Sequence, residues 1–233
     1  MEGPETLVGD VKIIEQLESE IVTTLSAMND SPVGEIREVR RQLSKRISPL
    51  PAPVVIQLAL RLIKFTGFAP RFVAYELVHN HKAALASLNS RNITALGNGI
   101  DSWSTVDTFA CYLSGPAWRE QQIPDALIEK WTRSKDRWWR RSAVVSTVAL
   151  NNKARGGRGD TNRTIQICRL VIDDRDDMVV KALSWSLREL SKRDEAAVKK
   201  FVSENKARLA PRVLREVKTK LTTGVKNPKP NRT

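Results

Sequence analysis

The sequence predicts an all-α chain, an α–α superhelix of about six stacked helix pairs, and three observations carry that prediction. Apolar residues keep helical spacing from Asp10 to Leu221. One stretch recurs at an offset of 40: laying Lys135–Ala143 over Arg175–Leu183 sets Asp136 on Asp176 and Arg141 on Lys181, and the frame carries on to set Leu150 on Leu190. Helix pairs recurring at roughly 40–47 residues mark HEAT and armadillo arrays, and that period divides the chain into about six pairs. Chance similarity between two amphipathic helices is the competing reading of the offset. Finally, only 11 Gly and 11 Pro among 233 residues, with few alternating Val-rich runs, weigh against an all-β fold.

In chain order, the first helix is expected over Asp10–Met28, with Ile13, Ile14, Leu17, Ile21 and Leu25 as its apolar stripe. Asn29–Gly34 breaks it, and a basic helix follows over Ile36–Ile47. The prolines at 49, 51 and 53 end that one, and Pro53 suits the first turn of the next. Helices are then expected over Val54–Phe65, Pro70–Asn80, Lys82–Asn89, Ser102–Leu113, Pro124–Arg133, Arg137–Leu150, Thr161–Ile172, Asp177–Ser191, Asp194–Lys206 and Ala210–Leu221. Gly67, Gly97-Asn98-Gly99 and Gly115-Pro116 serve as breakers between them. One repeat domain over 1–223 and a disordered basic tail over 224–233 are expected.

Charge is unevenly spread. Residues 1–130 hold 13 Lys+Arg against 15 Asp+Glu, whereas residues 131–233 hold 26 against 11. A folded region with that bias is an electrostatic footprint for a polyanion; a generally basic soluble protein is the plainer reading. No lipidation signal or membrane-length apolar run favours a membrane partner. Cys111 and Cys168 fall at apolar helical positions and read as small core residues, not zinc ligands. His79 and His81 lack metal-ligand spacing on one helix face. No cofactor and no metal are expected. Met1–Thr6 is acidic and without an apolar core, so no signal peptide is read and a reducing, cytoplasmic location is expected.

The candidate functional residues stand off the apolar stripes. In Asp177–Ser191, Trp185 lies at the stripe's edge, with Lys181 and Arg188 beyond it. In Ser102–Leu113, Trp103 lies at the edge and Asp107, one turn on, falls beside it on the polar side. Arg137–Leu150 is apolar nearly all round, yet Arg141 interrupts the face of Trp138, Val145 and Val148; a cation there needs a phosphate or carboxylate partner. Each Trp could simply fill a groove between helices. Asp107 could be a surface carboxylate or the partner of a nearby Arg. The Arg155–Gly159 stretch lacks the context of a phosphate loop and reads as a flexible loop or as one approaching a DNA backbone.

Four segments carry a family resemblance: Val39–Leu43, Trp103–Asp107, Trp138–Ala143 and Lys181–Glu189. In that order and spacing the chain resembles the AlkD-type DNA alkylation repair glycosylases, a HEAT-like family, from about Ser31 to Leu221. The resemblance implies that Trp103 and Trp185 wall the sugar of the damaged nucleotide and that Asp107 is the catalytic carboxylate. It also implies that Arg141 and Arg188 hold the phosphate backbone, and the charge distribution adds Lys181, Arg140, Arg40 and Arg41 as expected DNA contacts. The family excises N3- and N7-alkylated purines without extruding the base, unlike base-flipping enzymes. The chain departs from the pattern at Ser102 and Ser104, where members often carry an aromatic and an acid. The expected function is therefore a glycosylase that acts as a monomer on double-stranded DNA containing alkylated bases. The alternatives are a non-catalytic helical-repeat module for damaged, bent or branched DNA, and a scaffold for an acidic protein.

Overall fold

The segments whose apolar spacing marks them as helical are helical. The structure, a computed structural model, describes residues 4–28 and 31–227, and no strand occurs among them. The expectation for the tail from residue 228 onward lies outside the described residues. Where the sequence reads as one array, the helices gather into two compact units, Met1–Gly99 and Ile100–Thr233. The chain passes between them at the Gly-Asn-Gly turn, where Gly99 takes a left-handed φ of 73°.

The first unit holds α1 (Pro4–Ser26), α2 (Val33–Ile47), α3 (Ala52–Leu62), α4 (Phe68–Asn80), α5 (Lys82–Ala86) and α6 (Ser90–Gly97). Its centre is α3 against α4, with α1 packed on α3. Ile14, Leu17, Ile21 and Leu25 of α1 are buried, whereas Ile13 is exposed, so the stripe is narrower than expected. The expected helix over Lys82–Asn89 is the shorter α5, and the sequence reading missed α6, which starts at Ser90. Asn89 caps α6 by accepting from the Asn92 amide at 3.0 Å, and the Asn92 side-chain oxygen accepts in turn from the Asn89 amide. This reciprocal cap is made by two asparagines instead of the usual Ser/Thr with Glu/Gln.

The second unit holds α7 (Trp103–Phe109), a π-helical turn (Ala110–Ser114), α8 (Gly115–Arg119), α9 (Asp125–Thr132), α10 (Arg137–Asn151), α11 (Thr161–Leu170), α12 (Asp177–Leu190), α13 (Glu195–Glu204) and α14 (Pro211–Thr223). Helices α10, α12 and α14 are packed neighbours in one layer, and α9 and α11 lie in the next. The 40-residue offset sets two helix starts in register. Asp136 and Asp176 are the N-caps of α10 and α12, each accepting from the amide two residues on at 2.8 and 2.9 Å. Helix α10 is the centre of the unit, with every residue from Arg141 to Asn151 buried.

Gly115-Pro116 does not break the helix as expected. The Gly115 N–H reaches back five residues to the Ala110 carbonyl, and Pro116, with no N–H to place, sits in the first turn of α8. Gly115 also lets α10 approach: a Cβ there would lie 2.5 Å from the Ala149 Cβ and 2.8 Å from the Ser146 carbonyl. Beside it the Ser114 and Ser146 hydroxyls bond at 2.8 Å.

Candidate active site

Helices α7, α10, α12 and α14 converge on an open cleft of about 580 Å³ within the second unit. Helix α7 begins at Ser102, whose side chain accepts from the Thr105 amide at 3.4 Å and contacts the Ser104 hydroxyl at 3.2 Å. Ser102 and Ser104, the two departures from the family pattern, thus form the cap that starts this helix. Val106 and Phe109 of α7, with Ala110 and Leu113 of the π turn after it, anchor this segment in the core at 0% exposure. The opposite edge presents Trp103, which is 59% exposed, on the cleft wall. A tryptophan left that bare loses most of its hydrophobic stabilisation, so its placement is not explained by packing.

Trp185 and Met178 of α12 also line the cleft, as do Lys181 and Arg188. The apolar face of α12, with Val179, Ala182, Leu183, Ser186, Leu187 and Leu190 all buried, turns these four toward it. Arg141 of α10 is buried at 5% exposure and contributes to the cleft lining. The partner its burial demands is Asp107. Arg141 Nε donates to Asp107 Oδ1 at 3.0 Å and Nη2 to Oδ2 at 2.9 Å, a two-pronged pair, while Nη1 donates to the Met178 carbonyl at 2.6 Å. One guanidinium thus joins α7, α10 and the first turn of α12. This differs from the backbone-phosphate role implied for Arg141, because its charge is already matched by a carboxylate.

Asp107 keeps about a fifth of its side chain exposed. Burial pushes its carboxyl up to about 6, against the pull of Arg141 and, more weakly, of Arg155. Each carboxylate oxygen accepts from Arg141 with one lone pair and retains another.

Arg188 is mostly buried. Its Nε donates to the Ser184 hydroxyl at 3.2 Å, and Nη2 lies 3.7 Å from Glu216. Lys181 pairs with Asp177 at 2.6 Å, and Arg212 of α14 meets the same carboxylate at 3.0 Å. Burial works to raise Glu216, but the Ser184 hydroxyl, Lys226, Arg188 and Arg212 more than reverse it and hold it below the usual range. The sequence reading missed Glu216, Arg212 and Lys226, although all three line the cleft. The available signal was the charge of the last helix.

The remaining basic candidates are not among the residues that line this cleft. Arg140 donates to Asp174 at 2.7 Å and to the carbonyls of Ser134 and Lys135, closing the loops that start α10 and α12. Arg40 lies in the first unit, where it and Arg37 grip the buried Glu76 at 2.8 and 3.0 Å. Arg41, in the same helix, pairs with Glu38 one turn away.

The arrangement holds a carboxylate with a raised pKa against Arg141, and that arginine lines a cleft together with two tryptophans and four further cations. It could stabilise a transient cation at the carboxylate while the rim holds a polyanion. Comparison with known proteins agrees in kind. A family model described as DNA alkylation repair enzyme matches residues 31–221. In fold, the chain is similar to a predicted DNA alkylation repair enzyme from Enterococcus faecalis, with a TM-score of 0.66 and 17% identity over 83% of this chain and 87% of that one. No curated protein matches it.

Proposed function

Because this chain belongs to the DNA alkylation repair enzyme family, we propose that it is a DNA glycosylase that releases positively charged N3- and N7-alkylated purines from duplex DNA. The observation that carries the reading is Asp107, a partly open carboxylate held against Arg141 beside the cleft that Trp103 and Trp185 line.

An alkylated purine of this kind already bears positive charge and leaves readily, so no strong acid is needed to protonate it. As the glycosidic bond lengthens, positive charge grows on the sugar. Asp107 supplies the countercharge and can orient the attacking water, the role a carboxylate plays in other glycosyl transfers. The faces of Trp103 and Trp185 add about 0.5–2 kcal/mol each toward the same cation. Arg141 fixes the carboxylate's direction, which matters because stabilisation of this kind depends on groups already in place. Lys181, Arg188, Arg212 and Lys226 meet backbone phosphates at the rim.

One observation favours the non-catalytic reading. A purely structural Asp107 would make the same pair with Arg141. Asp107→Asn separates the two. Asn retains the size and part of the hydrogen bonding but not the charge, so release of N7-methylguanine from methylated DNA should fall by about 100-fold or more. Binding to the polyanion should hold or tighten. Release at the parental rate would leave the DNA-binding module as the better account.

A further inference from the structure

The turn that follows α10 does not behave as the slack loop its Gly-Gly-Arg-Gly composition suggests. The Gly157 and Gly159 amides donate to the carbonyls of Asn152 and Leu150, both at 2.9 Å. Arg193 Nη2 donates to the Gly157 carbonyl at 2.6 Å, and Arg119 Nη1 to the Arg155 carbonyl at 2.8 Å. A Cβ on Gly157 would meet the Asn152 nitrogen at 2.6 Å, and Gly156 takes a φ of 77°. The backbone is therefore built and braced, and what it presents is Arg155.

Most arginines around Arg155 have an acid. Arg119 and Arg158 share Glu120, and Arg163 has Asp160. Among the described residues, no carboxylate lies within ion-pair distance of Arg155. Its guanidinium instead lies 5.0 Å over the Tyr112 ring. Tyr112 belongs to the π turn that directly follows the helix carrying Asp107, and the charge of Arg155 reaches Asp107 itself. An aromatic shelf occupies the face of a guanidinium and leaves its N–H edges directed outward, the geometry suited to a phosphate.

We propose that Arg155, braced by its turn and shelved on Tyr112, binds a DNA backbone phosphate on the Asp107 side of the site, as a contact separate from the cations that line the cleft. The proposal rests on the DNA reading above. A protein carboxylate is the weaker partner, because the second unit carries 28 Lys+Arg against 16 Asp+Glu and its net charge suits a polyanion.

The test is fluorescence-anisotropy binding of an unmodified duplex across a salt series, with the parent, Arg155→Ala, Arg155→Lys and Arg158→Ala. Arg155→Ala should lower the log–log salt slope by about 0.9 and weaken binding roughly eightfold near 0.1 M salt. Arg155→Lys should restore the slope but not the full affinity, since a lysine keeps the charge without the flat fork. Arg158→Ala, which loses a cation from the same turn that is already paired with Glu120, should leave the slope alone. Thermal melting of Arg155→Ala with the parent confirms that the fold is not what changed. If the parent binds with a normal salt slope and Arg155→Ala keeps both slope and affinity, the proposal is overturned while the DNA reading stands. If the parent itself shows no salt-dependent duplex binding, the DNA reading falls and takes this contact with it.

Discussion

Asp107 and Arg141 divide between them a task that neither could perform alone. The guanidinium, buried under α12, would be costly without a carboxylate, and the carboxylate would point anywhere without the guanidinium. Two predictions follow from this one pair. Arg141→Ala strands Asp107 and opens the joint between α7, α10 and α12, so it should cost about 3–5 kcal/mol in denaturant unfolding. A loss within experimental error of zero would mean the pair is dispensable to the fold. The second concerns pH. The proposed chemistry uses ionised Asp107, whose carboxyl stands near 6 because burial disfavours the charge. Protonation removes the countercharge, so single-turnover release, corrected for spontaneous depurination, should fall about tenfold per pH unit below that value and level off above it. A rate unchanged from pH 8 to 5 would show that no carboxylate of raised pKa takes part.

At the scale of elements, the site depends on how closely α8 can lie against α10. Gly115 is the contact, and any side chain there meets backbone and the Ala149 methyl at once. Gly115→Ala should therefore destabilise the protein by about 1–3 kcal/mol, although alanine is the better helix former, because the steric conflict outweighs propensity. Unchanged or increased stability in urea melts would show that the two helices can simply part. This position also marks where sequence reasoning ran short. Gly-Pro is a sound stop signal in isolation, and only the packing against Ala149 and Ser146, with the wide turn before it, makes the helix continue. The same limit explains Asn89, whose cap partner is a second asparagine that no apolar spacing reveals. By contrast, the edges of α10 and α12 were legible, because each carries its own Asp cap and a long apolar stripe. Trp103, Asp107, Trp185, Lys181 and Arg188 were legible as residues at the polar edge of a stripe, and all but Asp107 line one cleft. Arg40 and Arg140 were not separable from them by sequence: a basic residue on a polar face looks the same whether its acid lies across a helix pair or on a ligand.

For the molecule as a whole, the electrostatics narrow to the second unit, but counting lysines and arginines overstates what a polyanion would feel. Arg140 is held by Asp174, Arg141 by Asp107 and Arg163 by Asp160. Their charge is cancelled at contact distance before DNA arrives, and neutralising a phosphate with them would mean breaking an existing pair. Lys181, Arg188, Arg212 and Lys226 also have acids nearby, but they share only Asp177 and Glu216 among the four, so the cleft keeps an excess of positive charge. Duplex binding should accordingly weaken steeply with salt, with each phosphate contact adding about 0.9 to the slope. Arg188→Ala combined with Lys181→Ala should flatten that slope by roughly two contacts' worth, about 1.8. Arg140→Ala, which removes a cation of the same formal charge, should leave it as it was. The comparison separates a local site from diffuse attraction: if all three substitutions shift the slope equally, net charge alone governs binding, and the cleft has no special part in holding DNA.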